Sequence, residues 1–450
     1  MKSSIIFFLI LLCINKVSAQ NDRLLTPQQL KTDVDFFFKT LHAHHPNPYY
    51  YYSLNEFEDI KNKIYSQINK PLTHEQFAWI IGEINSCLDM HSMVNIYFLT
   101  HWRKNFLNNK SIKLFPVVKI RNKRLYLKTA NIEIEEINGI KANEIIQDLR
   151  KYFNWKLPFE RNIYSMEACF SCFLMYKYNL EAPFKVKFSN ANSIQILEGS
   201  TLNEFNKESS GGIRGGILGY SYKIYPNSSI AIFNIMDFEE YNKERLEKKL
   251  NEFFKEVNSL NIQNVFYDLT MNAGGNFNLR ALDIIKHDSV YFKLNVIDRI
   301  DQFNKKHKIN EIVLYPTDSV IRFNRKHKVN KVVLYPNKSL NITMKRKLFV
   351  LQGNNTASGA DYFCRIVAEN KLGTLVGQNT GEPTTGFSYS FTSTMPNSKI
   401  SFGTATSFCD FSDYFKQETL YPDVYWDVNN CREFTEQELI DIINCRTNIR

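Results

Sequence analysis

From residue 229 onward the sequence alternates short apolar runs with amphipathic ones. Ser229–Ile235 and Asn264–Asp268 read as strands. Lys243–Leu260 and Asn278–Ile285 read as helices. A further run, Lys347–Leu351, reads as a buried strand and leads into a helix over Ala360–Asn370. Strand-helix alternation of this kind demands crossover connections, and so predicts an α/β layer with parallel strand pairs. It also predicts where chemistry can sit, because loops at strand ends carry groups that a rigid sheet positions.

Two such loops stand out. Asn354–Gly359 joins a strand to a helix and contains Ser358. A hydroxyl on that turn can serve as a nucleophile, with free N–H groups at the helix start stabilising an oxyanion. Thr356 or Ser358 can equally be a helix N-cap. The second loop, Asp268–Asn276, holds the adjacent Gly274 and Gly275 after an apolar strand. Glycines there let a backbone N–H approach a developing negative charge closely, or simply make a turn.

The 450 residues are enough for two or three domains, and 44% hydrophobic content supports a packed core. That excludes a chain disordered throughout. Residues 1–19 read as a secretory signal peptide: Lys2, an apolar stretch over Ile5–Cys13, and Val17-Ser18-Ala19 before Gln20. The apolar stretch is too short to span a bilayer, and no later one is long enough. The expected product is exported, either periplasmic or extracellular, with no integral membrane segment after signal removal. Seven cysteines follow the signal; the odd number leaves at least one unpaired. Cys169 and Cys172 have CxxC spacing without the context of a zinc or redox site, so they read as structural or unpaired.

Residues 20–108 form a helical region. One helix starts at Thr26-Pro27 and stops near His45-Pro46-Asn47-Pro48, a second covers Leu54–Ile68, and a third opens on the capping box Thr73–Gln76. His91 follows in the loop Asp89-Met90-His91-Ser92. His42, His44 and His45 cluster at the first helix end; a favourable interaction with the helix dipole accounts for them better than a metal site does. Residues 109–206 look like a small α+β unit. Ile134–Ile146, with its Asn138-Gly139 turn, resembles the strand, turn and helix start of a PDZ domain; a plain hairpin plus helix is the alternative.

Residues 207–430 form the α/β core, entered through a glycine-rich loop and interrupted by a basic insertion at about 299–346. Within the insertion, Phe303–Pro316 recurs as Phe323–Pro336, a local tandem duplication expected to form a surface hairpin. Residues 431–450 read as a C-terminal helix or tail. The formal net charge is +10, much of the excess lying in the insertion. No nucleic-acid motif accompanies it, so it reads as a solvated surface.

The motifs together resemble the S41 serine peptidases, the family of tail-specific proteases and the tricorn core protease. The matching segments, in order, are His45–Tyr49, Asp89–Ser92, the PDZ-like unit, Asp268–Gly275, Thr356–Asp361, Gly377–Gly381 and Pro422-Asp423. The resemblance implies an α/β protease core of ClpP/crotonase-like layered β-α units, with a helical N-terminal region and a PDZ-like α+β domain. It implies a serine-type peptidase with Ser358 as nucleophile and an acyl-enzyme intermediate. The Ser/Lys branch places a lysine about two dozen residues after the serine, and Asn379–Phe387 contains none. The tricorn-like branch instead draws a histidine from the N-terminal region, which His91 matches, and a glutamate from near the C-terminus. Glu418 is the first choice for that acid and Glu382 the second. Gly359 and either Gly274 or Gly275 would supply oxyanion donors. No cofactor and no metal is called for. The expected partner is a peptide or unfolded protein substrate, not nucleic acid; no motif speaks to oligomeric state. Met90, Thr270 and Asp361 depart from the family pattern, where glycine, arginine and glutamate are usual. A catalytically inactive peptide- or ligand-binding protein on the same scaffold is therefore the alternative.

Overall fold

The structure is a computed structural model and describes residues 24–96, 112–156, 159–191, 193–209, 220–238, 243–275, 290–293, 295–298, 331–334, 346–410, 417–428 and 433–447. The expected signal peptide, most of the duplicated insertion and the helix expected over Asn278–Ile285 lie outside these residues.

The first three helices are α1 (Pro27–His44), α2 (Leu54–Gln67) and α3 (His74–Gly82). Each begins on a capping box, with Thr26, Ser53 and Thr73 as the capping residues. The reciprocal bonds satisfy two orphan N–H donors per helix and fix where each helix starts. A 3₁₀ turn over Glu83–Cys87 leads into the His91 loop and then strand β1 (Met93–Val94).

A mixed unit follows: β2 (Val118–Arg121), β3 (Arg124–Leu127), β4 (Ile132–Ile137), β5 (Ile140–Lys141), α4 (Ala142–Arg150), α5 (Phe159–Tyr178), β6 (Phe184–Phe188), β7 (Gln195–Leu197) and α6 (Leu202–Ser209). Its sheet runs β2-β3-β4-β6-β7, with β5 paired to β4 across the Asn138-Gly139 turn. The outer edge of β2 is not open: the Ile120 N–H donates to Glu167 Oε1 (2.6 Å) from α5. Burial raises the Glu167 carboxyl to about 7. Cys169 and Cys172, on the same helix, are buried free thiols.

The core carries β8 (Ser221–Tyr225), β9 (Ile230–Asn234), α7 (Lys243–Ser259), β10 (Asn264–Asp268), β11 (Val290–Lys293), β12 (Asn295–Asp298), β13 (Lys331–Leu334), β14 (Lys347–Gln352), α8 (Gly359–Glu369), β15 (Thr374–Gly377), β16 (Thr385–Thr394), β17 (Ser401–Asp410), β18 (Val424–Tyr425) and α9 (Glu436–Thr447). Its main sheet runs β18-β15-β14-β10-β9-β8. All its pairs are parallel except β8–β9. Period-two alternation divides each strand between two cores. Val265 and Tyr267 of β10 pack with α7 and α8, whereas Phe266 faces the cluster that includes Leu439 and Ile442 of α9. Helices thus cover both faces, which is why these strands read as continuous apolar runs. β13, from the second copy of the duplication, pairs antiparallel with β11.

A long hairpin, β16–β17, joins the core to the N-terminal helices. Its register runs from Thr385↔Asp410 to Thr394↔Ser401, and β1 and β12 both pair with β17. Phe402 packs edge-on against Phe36 and Phe37 of α1. At the hairpin tip, Asp33 of α1 accepts bonds from the N–H groups of Asn397 (2.8 Å) and Ser398 (2.6 Å) and from Asn397 Nδ2 (3.0 Å). Asp33 is fully buried, so these donors are what make its burial tolerable. A single apolar cluster runs through α1–α3, the mixed unit and Met395, Ile400 and Phe402 of the hairpin. Residues remote in sequence are thereby held against the carboxyl ends of the core strands.

Candidate active site

The central strands β10 and β14 are adjacent and parallel, so their C-terminal loops, 269–275 and 353–358, emerge side by side. Open α/β sheets bind ligands at such ends. The two loops are tied together. Thr356 Oγ1 donates to the Leu269 carbonyl (2.9 Å), and the Ala357 N–H donates to the Asn272 carbonyl (3.2 Å). Thr356 is therefore structural, and the helix-cap alternative fails for Ser358 as well, since its side chain makes no capping bond to α8. The Ser358 backbone stands at φ 50°, ψ −125°. A non-glycine residue there is strained by roughly 1–3 kcal/mol and is kept only where its surroundings over-determine it.

Gly274 explains part of that constraint. A Cβ on Gly274 would lie 2.5 Å from Ser358 Cβ and 2.8 Å from the Ala357 carbonyl oxygen, and its φ is +106°. Only glycine fits. Its N–H donates to Asn272 Oδ1 (2.9 Å). Of the two glycines expected as donors, Gly274 thus contributes space rather than a hydrogen bond. Gly275, at φ +125°, follows it directly.

The His91 loop reaches this point through β17. The Ala405 N–H donates to Ser92 Oγ (2.8 Å), β1 pairs with Phe402 and Gly403, and the Asn95 N–H donates to the Ser401 carbonyl (3.0 Å). The result places His91 Nε2 at 3.5 Å from Ser358 Oγ, across 267 residues of sequence.

The carboxylate on the other side of the imidazole belongs to Glu382. Its Oε1 is 3.6 Å from His91 Nδ1, with Glu382 only 6% exposed and His91 16%. Its Oε2 accepts the Ser358 N–H (3.3 Å). Glu418, the first choice from the sequence, is exposed, and its backbone carbonyl accepts the Thr384 N–H (2.7 Å). The reason is local: a bridge between Pro383 and Thr419 sets the two segments side by side, and Glu382 is the member whose side chain is buried beside His91. The Gly381 N–H donates to the Thr356 carbonyl (2.9 Å), fixing the Glu382 loop to the Ser358 turn.

Beneath the turn, Asp361 and Arg365 of α8 form a fully buried ion pair (2.5 Å), and Arg365 Nη2 reaches the Glu382 carbonyl (3.5 Å). Burial raises the Asp361 carboxyl, and Glu382 adds to this, against the opposing pull of Arg365. Asp361, one of the departures from the family pattern, is thus engaged in bracing the site.

The three clustered histidines part company. His42 Nε2 meets the Tyr49 hydroxyl (2.6 Å), His44 stacks on Phe391 (centroids 4.1 Å apart), and His45 Nε2 bonds Asp89 (2.8 Å). Sequence reasoning assigned His45 no partner. The only signal was a histidine directly before Pro-Asn-Pro and an aspartate two residues before another histidine. Chemically, a hydroxyl, an imidazole and a buried carboxylate in series can move a proton off the hydroxyl and hold the resulting cation.

Residues 229–400 match the model of peptidase family S41. Comparison with curated protein sequences finds no match. Among solved structures, mature CPAF is similar, with a TM-score of 0.57 at 11% identity over 93% of this chain and 96% of that one. Mature CPAF complexed with lactacystin gives 0.56 at 13% identity over 94% and 98%. The photosystem II D1 C-terminal processing protease gives 0.43 at 11% identity over 90% and 94%. At such identities the likeness to CPAF is one of fold, a mixed α/β architecture with several sheets.

Proposed function

We propose that this chain, an S41 family peptidase and hence a hydrolase, is a serine-type endopeptidase that cuts peptides or loosely folded protein tails through an acyl-enzyme on Ser358. The observation that carries the reading is the 3.5 Å approach of His91 Nε2 to the hydroxyl of a serine with strained backbone. His91 takes the Ser358 proton as Oγ attacks the peptide carbonyl, then returns it to the leaving amine. Glu382 orients the imidazole and stabilises its cation. The N–H groups of Gly359, at the start of α8, and of Gly275 are the proposed oxyanion donors. No step draws on a cofactor.

The test is digestion of a protein offered both unfolded and folded. The unfolded form should be cut internally and the folded form spared. An intact unfolded substrate, with the enzyme folded, would overturn the proposal and favour a ligand-binding scaffold. The reading includes export, supported by the pattern of residues 1–19; no helix among the described residues is long and apolar enough to cross a membrane. Export is checked by the N-terminus of the mature protein, expected at Gln20.

A further inference from the structure

We propose that His45 and Asp89 form a buried positioning pair that fixes the backbone of His91, and with it the approach of the imidazole to Ser358. The inference rests on the reading of His91 as the base.

Asp89 accepts from three directions. Its Oδ1 takes the N–H of His91 (2.7 Å), its Oδ2 takes Nε2 of His45 (2.8 Å), and the Ser92 hydroxyl donates to the same carboxylate. The His45 and Asp89 side chains are 2% and 3% exposed. The donor role of His45 follows from its other nitrogen. His45 Nδ1 accepts the Asn47 N–H (3.0 Å), so Nδ1 carries no proton and the ring N–H lies on Nε2, facing Asp89. Burial alone would raise the Asp89 carboxyl; the bonds from His45 and Ser92 outweigh it and hold the group below its ordinary value. Ser92 also accepts the Ala405 N–H. The carboxylate therefore ties three pieces together: the C-terminal end of α1, the His91 loop and, through Ser92, strand β17. Ring contacts of His45 with Phe387 (4.4 Å) place the pair beside the strand that follows Glu382.

This geometry separates the pair from a generic buried contact. Only one residue, Met90, separates Asp89 from His91, so a shift of the carboxylate moves the His91 Cα. A misplacement of about 1 Å at a reacting group costs roughly 100-fold. His45 and Asp89 act on Ser358 through His91, so both are positioning residues.

The experiment uses the full mature chain and four forms: wild type, His45→Ala, His45→Gln and Asp89→Asn. His45→Ala should lower kcat by roughly 10- to 100-fold with KM nearly unchanged. His45→Gln should recover most of the loss, because its amide N–H can occupy the place of Nε2–H. Asp89→Asn should fall at least as far as His45→Ala, since its amide nitrogen would oppose the His45 N–H, donor against donor. Backbone hydrogen exchange at His91 gives a readout independent of turnover: it should be slow in wild type and His45→Gln and faster in the other two. Wild-type kcat in folded His45→Ala, a loss confined to KM, a Gln variant no better than Ala, or unchanged exchange at His91 would each overturn the proposal. Absence of turnover in wild type would instead defeat the peptidase reading, and the exchange result would still decide whether the pair anchors His91.

Discussion

Replacing Ser358 by alanine is expected to lower kcat/KM for peptide hydrolysis by about 10⁶-fold, the scale of losing a triad nucleophile. Such a loss corresponds to roughly 8 kcal/mol of transition-state stabilisation. The fold should survive it. Ser358 makes no capping bond, and alanine occupies the same φ 50° backbone with the same strain. Glycine at this position should inactivate equally and also stabilise the chain by about 1–3 kcal/mol, because it relieves that strain. Thermal unfolding alongside turnover separates the two effects. If alanine retained activity, Ser358 would be a turn residue and no nucleophile.

Glu382→Gln should reduce kcat by about 10²- to 10⁴-fold with little change in KM, following the logic of a triad acid. The loss arises from the imidazole tautomer. A glutamine that keeps its carbonyl oxygen on the Ser358 N–H turns its amide nitrogen toward His91 Nδ1. That donor demands a lone pair on Nδ1, which moves the ring proton to Nε2, the nitrogen facing Ser358 Oγ. The base is then blocked at the atom that must accept a proton. Glu418→Gln should stay within about threefold of wild type, since surface substitutions without buried partners have small effects and Glu418 contributes its backbone carbonyl, not its exposed side chain. Steady-state kinetics on the two variants decide between them. A large loss in Glu418→Gln with activity kept in Glu382→Gln would return the role to Glu418.

The difference between these two glutamates shows what a sequence can and cannot carry. The central strands were legible because each is apolar on both faces: Val265, Phe266 and Tyr267 all lie in core. The helix start at Thr26-Pro27 and the capping box at Thr73 were legible because they are local. His91 and Ser358 were reachable through motif order, although nothing local says they meet. Glu382 becomes the neighbour of His91 only through long-range bonds, from Gly381 to Thr356 and from Thr384 to Glu418, and these have no sequence signature. The β16–β17 hairpin does leave a trace in the sequence. Phe387, Tyr389 and Phe391 alternate with small polar residues, and Pro396-Asn397 marks the turn. That hairpin carries the connection between α1 and the core, and it is what brings the His91 loop to Ser358. Likewise Glu167, which occupies the edge of β2, is a charged residue within a helical run and gives no sign of facing a strand.

In the proposed mechanism Ser358 is an activated nucleophile dependent on His91. A fluorophosphonate probe reacted with the full mature chain, followed by mass spectrometry of the labelled peptide, tests it most directly. A single adduct on Ser358 is expected, formed at least about 100-fold more slowly in His91→Ala, in keeping with the contribution of a general base. Folded wild-type protein left unlabelled, or labelled at the same rate without His91, would contradict it.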